Sequence, residues 1–136
     1  MEENTPVITG LVPFLPVRDV EQSAAFYKLL GFEVGNRVPR EGMMGWSWLY
    51  TLEAPDWRRG ANLMLSCSDR AGDLSNRGTL YYLYAVNLVS LREKLIAAGL
   101  KPGPITYPDY LPKGEFKIQD PDGHTLILAQ YNTDTP

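Results

Sequence analysis

The sequence predicts an α+β fold made of two tandem βαβββ modules with open, curved sheets. The order of strand, helix and three strands occurs in the first half of the chain and begins again in the second half. In each half one amphipathic helix is followed by a glycine, Gly31 or Gly99, which suits a helix C-cap. Such a repeat constrains the architecture, because each module buries its helix on one sheet face and leaves the other face uncovered until modules meet.

The repeat also sets the expected boundaries. We expect residues 1–68 to form the first module, residues 69–78 a linker, residues 79–132 the second module and residues 133–136 a tail, all in one structural domain. Asp19 and Asn87 are the predicted N-caps of the two helices. The strands are predicted at residues 7–17, 32–38, 43–52, 61–67, 80–86, 115–119 and 125–129, with a further short strand within residues 101–107, and the helices at residues 20–30 and 88–98.

Composition narrows the class of protein. The 136 residues are 44% hydrophobic and 21% charged, with a net charge of −3. The sequence has no basic patch of the kind that would indicate nucleic-acid binding. It also has no apolar run that approaches the ~20 residues of a membrane span. The acidic N-terminus does not read as a secretory signal. A single cysteine, Cys67, which we expect to be buried, suits a reducing compartment, so a cytoplasmic location is predicted.

The last hairpin is the clearest local pattern. Residues 114–130, GEFKIQDPDGHTLILAQ, contain an alternating strand, a tight Asp-Pro-Asp-Gly turn and a nearly continuous apolar strand. The only histidine, His124, follows the turn and is expected to face solvent. Glu115 and Lys117 alternate with apolar residues and point either at the hollow of the sheet or at solvent.

Alternation assigns a set of aromatic side chains to the uncovered sheet face. Trp46, Trp48 and Tyr50 point to one side of their strand, and they are either a ligand platform or part of a core or dimer interface. Tyr81 is predicted on the same side as Ile127, whereas Tyr82 and Tyr84 are predicted to pack on the helix side. The loop before the last hairpin, YPDYLPKG, carries Tyr110 and suits either a lid or a cover over a sheet edge.

Two segments together resemble one superfamily. VPFLPVRDVEQSAAFYKLLGFEV at residues 12–34 and the last hairpin look like the vicinal-oxygen-chelate superfamily, which contains glyoxalase I, extradiol dioxygenases, fosfomycin-resistance enzymes and bleomycin-resistance proteins. The resemblance implies two βαβββ modules whose mixed sheets curl around a cleft, and a symmetric homodimer. It also implies four positions for ligands of a divalent metal, which correspond here to Val12, Met64, Tyr81 and Ile127.

None of these four side chains is an imidazole or a carboxylate, the donors that such metal sites require. The sequence is therefore most similar to the metal-free, bleomycin-resistance-like branch, and it predicts no catalytic residues, no cofactor and a small planar or aromatic ligand held in an apolar cleft. The predicted ligand-binding residues are Phe14, Trp46, Trp48, Tyr50, Met64, Tyr81, Tyr110 and Ile127.

Two other functions remain open from the sequence. One is a lyase- or isomerase-type enzyme of the same superfamily that acts on a small carbonyl compound. The other is a structural or regulatory dimer with a filled cleft. Whether a binding protein of this kind gives antibiotic resistance or serves metabolism is equally open.

Overall fold

The first module forms a four-stranded sheet with one helix. A computed structural model describes residues 7–8, 10–51, 60–75 and 78–131. The elements of this module are β1 (Phe14–Val17), α1 (Val20–Leu29), β2 (Glu33–Val38), β3 (Trp46–Tyr50) and β4 (Asn62–Cys67). The strand order is β1-β4-β3-β2, with β1 parallel to β4 and the other pairs antiparallel, so the sheet is mixed.

The beginning of β1 is set by proline. The strand was predicted over residues 7–17, but regular pairing with β4 starts at Phe14. Pro13 and Pro16 have no backbone N–H and cannot donate to a ladder, which confines this strand to a sheet edge. The helix that follows begins as predicted, because the Asp19 carboxylate accepts a hydrogen bond from the Gln22 backbone N–H at 3.1 Å.

The second module forms a three-stranded sheet. It contains β5 (Leu80–Ala85), α3 (Leu88–Ala97), β6 (Glu115–Gln119) and β7 (Thr125–Gln130), in the order β5-β7-β6 with β5 parallel to β7. Between the modules, residues that were predicted to be a linker include the short helix α2 (Ala71–Ser75). The predicted tail at 133–136 lies outside the described residues.

The strand predicted at residues 101–107 is reduced to a single bridge between Thr106 and Glu115. Pro102 and Pro104 interrupt this segment, and a proline cannot donate to a sheet ladder. The segment still lies along β6, since the Gly103 backbone N–H donates to the Lys117 carbonyl at 2.8 Å. The second sheet is therefore narrower than the first in the described part of the chain.

Both sheets contribute one face to a common hydrophobic core. Leu15 and Leu65 of the first sheet belong to the same buried cluster as Leu126 and Leu128 of the second. Each sheet consequently has an inner face in this core and an outer face on its other side. Cys67, expected to be buried, is exposed at the end of β4. None of the helices in the described ranges is both long and apolar enough to span a membrane.

A buried polar contact joins the modules at residues 120–124, which we call the latch turn. Asp120 accepts hydrogen bonds from the backbone N–H of Asp122 and of His124, both at 2.9 Å, and from the Tyr27 hydroxyl at 2.8 Å. The prediction that His124 faces solvent is wrong. His124 is only 3% exposed, and its Nε2 donates to the Pro16 carbonyl at 2.8 Å, because a carbonyl can only accept.

The latch turn also contacts the start of α1. The Asp122 carboxylate accepts from the Arg18 backbone N–H at 3.0 Å, from Arg18 Nε at 2.9 Å and from the Ser23 hydroxyl at 3.3 Å. Arg18 in addition donates to the Pro121 carbonyl at 2.9 Å. The turn that follows β6 is thus held against the β1–α1 connection of the other module.

Candidate functional site

The outer face of the first sheet is aromatic. The register places Phe14 opposite Met64 and Met64 opposite Trp48, so these three side chains form one row across β1, β4 and β3. Their neighbours in sequence, such as Leu15 and Leu49, are buried in the core on the other side. We call the outer surface formed by Phe14, Trp46, Trp48, Tyr50 and Met64 the aromatic face. The structure brings these five predicted ligand-binding residues together on one sheet.

Trp48 has a defined orientation on the aromatic face. Its ring stacks on that of Tyr50, with centroids 4.9 Å apart and an interplanar angle of 28°. Its Nε1 donates to Asn62 Oδ1 at 2.8 Å. The indole also lies against Gly35 of β2, where a Cβ atom would come within 2.5 Å of the ring. Three neighbours therefore position this indole before any ligand is bound.

The outer face of the second sheet is rich in tyrosine. The register aligns Tyr82 with Ile127 and Lys117, and Tyr84 with Ala129 and Glu115. We call the surface formed by Tyr82, Tyr84, Glu115, Lys117 and Ile127 the tyrosine face. Ile127 lies on the outer face, as predicted, but it is buried under its longer neighbours. The sequence had left the direction of Glu115 and Lys117 open, and both belong to this face.

The face predicted for Tyr81 is wrong, and so is the helix side predicted for Tyr82 and Tyr84. Tyr81 pairs with Leu126, a core residue, so it lies on the inner side of β5. The error arose because aromatic residues occupy successive positions of β5, and alternation gives two faces without saying which is the inner one. The number of residues between each strand position and the N-cap of the following helix identifies the correct face for Tyr81. Val12 stands seven residues before the N-cap Asp19, and the residue seven before Asn87 is Leu80, which shares its face with Tyr82.

Tyr81 instead lines a cavity between the two modules. The cavity has a volume of about 240 Å³ and is lined mainly by apolar side chains from β1, β4 and β5. Tyr81 also makes an edge-on contact with His124, with ring centroids 6.3 Å apart. Burial, and secondarily the Asp120 carboxylate, raise the pKa of the Tyr81 hydroxyl. Tyr81 therefore lies between the two modules and on neither outer face.

Tyr110 extends the tyrosine face from the loop before β6. Desolvation raises the pKa of Tyr82, and the nearby Tyr110 and the Glu115 carboxylate raise it further, in part through a side-chain hydrogen bond between the two tyrosines. Tyr110 thus approaches Tyr82 and meets the outer sheet face, as expected for a covering loop. The predicted ligand-binding residues are accordingly divided between two sheets, with Tyr110 and Ile127 on the second.

The metal positions implied by the superfamily do not fit a metal ion. Val12, Met64 and Ile127 offer no imidazole or carboxylate, and the fourth position, corrected from Tyr81 to Leu80, offers none either. In the described part of the chain, no group of three or more His, Cys, Asp or Glu side chains could hold a metal ion. The two faces offer flat apolar contact and a few hydrogen-bonding groups.

Comparisons with known proteins identify the superfamily of the chain. The pattern of the Glyoxalase/Bleomycin resistance protein/Dioxygenase superfamily matches residues 8–128, and the chain belongs to this superfamily. No curated protein sequence matches the chain. Similar solved structures include a bleomycin-binding protein complexed with bleomycin, which has a TM-score of 0.65 and 23% identity over 90% of this chain and 98% of that one.

Two further structures share the fold. TnmS3, an antibiotic-binding protein from Streptomyces sp. CB03234, has a TM-score of 0.65 and 19% identity over 94% of this chain and 100% of that one. The fosfomycin resistance protein FosX from Listeria monocytogenes has a TM-score of 0.66 and 15% identity over 94% of this chain and 98% of that one. At these identities the likeness shows the fold alone.

Proposed function

We propose that this chain is a metal-free binding protein that sequesters a small planar or aromatic molecule on its aromatic face. The observation that carries the proposal is the oriented Trp48, which is stacked on Tyr50 and hydrogen-bonded to Asn62 on the outer face of the first sheet. Stacking of a ligand ring on an aromatic side chain contributes ~0.5–1.5 kcal/mol beyond the burial of apolar area. An indole held in place before binding loses little freedom when the ligand arrives.

The absence of donors at the four superfamily positions supports the metal-free part of the proposal. Likeness to a bleomycin-binding protein and an antibiotic-binding protein makes bleomycin a reasonable first ligand to test, and antibiotic resistance a possible role. We further propose a cytoplasmic homodimer, because the residues assigned to the ligand are divided between the outer faces of two different sheets of one protomer.

The test is a titration of the full-length protein with bleomycin, followed by tryptophan fluorescence and by thermal shift. Trp48→Ala is expected to weaken binding about tenfold, since it removes both stacking and apolar contact. Trp48→Phe retains a ring and is the matched variant, with a smaller expected loss. Val89→Ala, on the exposed side of α3, controls for unrelated surface changes. Equal affinity of Trp48→Ala and the unaltered protein would contradict the stacking proposal.

Treatment with a chelator separates binding from metal-dependent catalysis. We expect dialysis against EDTA to leave ligand affinity and melting temperature unchanged. Elemental analysis of the purified protein should give a metal-to-protein ratio near zero. Loss of binding on chelation, with recovery on addition of a divalent metal, would instead support the enzyme alternative.

A further inference from the structure

Glu115 is a buried residue whose Oε1 atom has no hydrogen-bond partner. It stands at the start of β6, its side chain lies on the tyrosine face, and the residue is only 7% exposed. Its Oε1 is enclosed and accepts no hydrogen bond, the one buried side-chain oxygen or nitrogen of the described residues in that state. A buried, uncompensated charge is costly, so a carboxylate kept in this condition indicates a function that uses it.

The surroundings of this carboxylate are aromatic. Glu115 pairs across the sheet with Ala129, which in turn pairs with Tyr84, so the two longer side chains lie on either side of a fully buried alanine. The Glu115 carboxylate also interacts electrostatically with Tyr82, which lies beside Tyr110. The three tyrosines are 44%, 62% and 69% exposed for Tyr82, Tyr84 and Tyr110, so their rings are accessible from outside.

Neither of the ion pairs between described residues includes Glu115. The two ion pairs found there join Arg18 to Asp122 and Arg37 to Glu21. Lys117 shares the tyrosine face, but it lines a different hollow with Lys101, Gly103, Gln119 and Thr125, where the segment after α3 lies along β6. No described ion pair thus competes for Glu115 with a cation that another molecule supplies.

We propose that the tyrosine face binds a positively charged organic group, an alkylammonium, between the Glu115 carboxylate and the rings of the three tyrosines. The carboxylate supplies the opposite charge, and the electron-rich ring faces attract the cation, as in aromatic sites for quaternary ammonium groups. Such a group needs no hydrogen-bond acceptor other than the Glu115 carboxylate.

This site is separate from the stacking surface. The aromatic face and the tyrosine face belong to different sheets, so the proposal does not depend on the ligand of Trp48. Where one compound contacts both faces, for instance across two protomers, it would combine a planar ring with an amine. The tyrosine face would then determine the charge of the compound that the protein accepts.

The test compares two simple probes that have the same shape and differ in charge. Choline and its neutral analogue 3,3-dimethylbutan-1-ol are titrated into the full-length protein, and tyrosine ring resonances are followed by NMR. We expect choline to bind at least about tenfold more tightly than the alcohol. Glu115→Gln should abolish the difference, and Tyr82→Leu should weaken choline binding. Glu93→Gln, the same change on the exposed side of α3, should leave both affinities unchanged.

Stability and oligomeric state complete the test. Because Glu115→Gln replaces an unpaired buried charge with a neutral group of the same shape, the variant should melt no lower than the unaltered protein. Trp48→Ala should retain the preference for choline, which distinguishes failure of the stacking proposal from failure of this one. Equal affinity of the unaltered protein for the two probes, or a preference that persists in Glu115→Gln, overturns the proposal. So does a Glu115→Gln variant that melts well below the unaltered protein or changes its mass in light scattering, since the carboxylate would then serve the fold or a contact between copies.

Discussion

Tyr27 is the residue through which the core of the first module reaches the last turn of the second. Its side chain is completely buried, and its hydroxyl donates to Asp120 Oδ2 at 2.8 Å. Burial raises the pKa of this hydroxyl well above its ordinary value of 10.0, and the Asp120 carboxylate adds to the effect through its charge and the hydrogen bond. The neutral phenol is therefore the form that the folded protein holds.

The stability of the protein should consequently fall in alkaline solution. The folded state keeps the Tyr27 proton where the unfolded chain begins to lose it, so this contribution is complete below about pH 10 and is lost as the pH rises through the higher pKa of the folded state. Melting temperatures from about pH 8 to about pH 11 should fall less steeply for Tyr27→Phe than for the unaltered protein.

At neutral pH, Tyr27→Phe should cost ~1–3 kcal/mol of unfolding free energy, because Asp120 Oδ2 loses its buried donor. Tyr107→Phe, which removes an exposed hydroxyl, is the control for both measurements. If the melting temperature of Tyr27→Phe fell as steeply in alkaline solution as that of the unaltered protein, groups other than Tyr27 would govern the loss of stability.

Individual residues were predicted least well. The aromatic residues of β3 alternate with Ser47 and Leu49, so their common face follows from the sequence. Tyr81 and Tyr82 are adjacent and both apolar enough for the core, and their faces needed the helix spacing or the structure. The burial of His124 could not be predicted from its neighbours in sequence, because its partner, the Pro16 carbonyl, belongs to the other module.

Elements were predicted better, since their signals are local. Both long helices begin at the predicted N-caps, where Asp19 and Asn87 accept from backbone N–H groups at 3.1 and 3.2 Å. The turn at residues 120–124 also follows from its composition. Its second role as the latch turn does not, because the chain offers no local sign that Asp122 meets Arg18 and Ser23.

The latch turn predicts a specific loss of stability. Asp122→Ala removes the acceptor for Ser23 and for both Arg18 groups, and we expect a cost of about 2 kcal/mol, moderated because the Arg18 side chain can turn to solvent. Urea unfolding measures the change. Asp73→Ala, which removes an exposed carboxylate from α2, should change stability little. Equal effects of the two substitutions would mean that the latch contributes nothing measurable.

For the whole molecule, the shared core predicts that the modules unfold together. All three tryptophans of the chain occur in the first module, so tryptophan fluorescence reports on that half. Leu128 lies in the second sheet and is buried in the common cluster. Leu128→Ala should cost ~2–5 kcal/mol and shift the tryptophan transition to lower urea.

A control on the surface of the same module keeps this test specific. Val89→Ala, on the exposed side of α3, should leave the midpoint within error. If the tryptophan transition does not move in Leu128→Ala while circular dichroism records a separate, earlier transition, the modules are independent. The repeat in the sequence would then describe two folding units.

The latch turn also bears on synthesis of the chain. Arg18, Ser23 and Tyr27 emerge from the ribosome about a hundred residues before their partners, Asp122 and Asp120. Closing a loop of that length is slow compared with local contacts, and it cannot begin until residues 120 and 122 have been made. Until then the first module has an open polar seam and an incomplete core. A nascent chain arrested before residue 120 is therefore expected to be protease-sensitive, and extension through β7 should make it resistant.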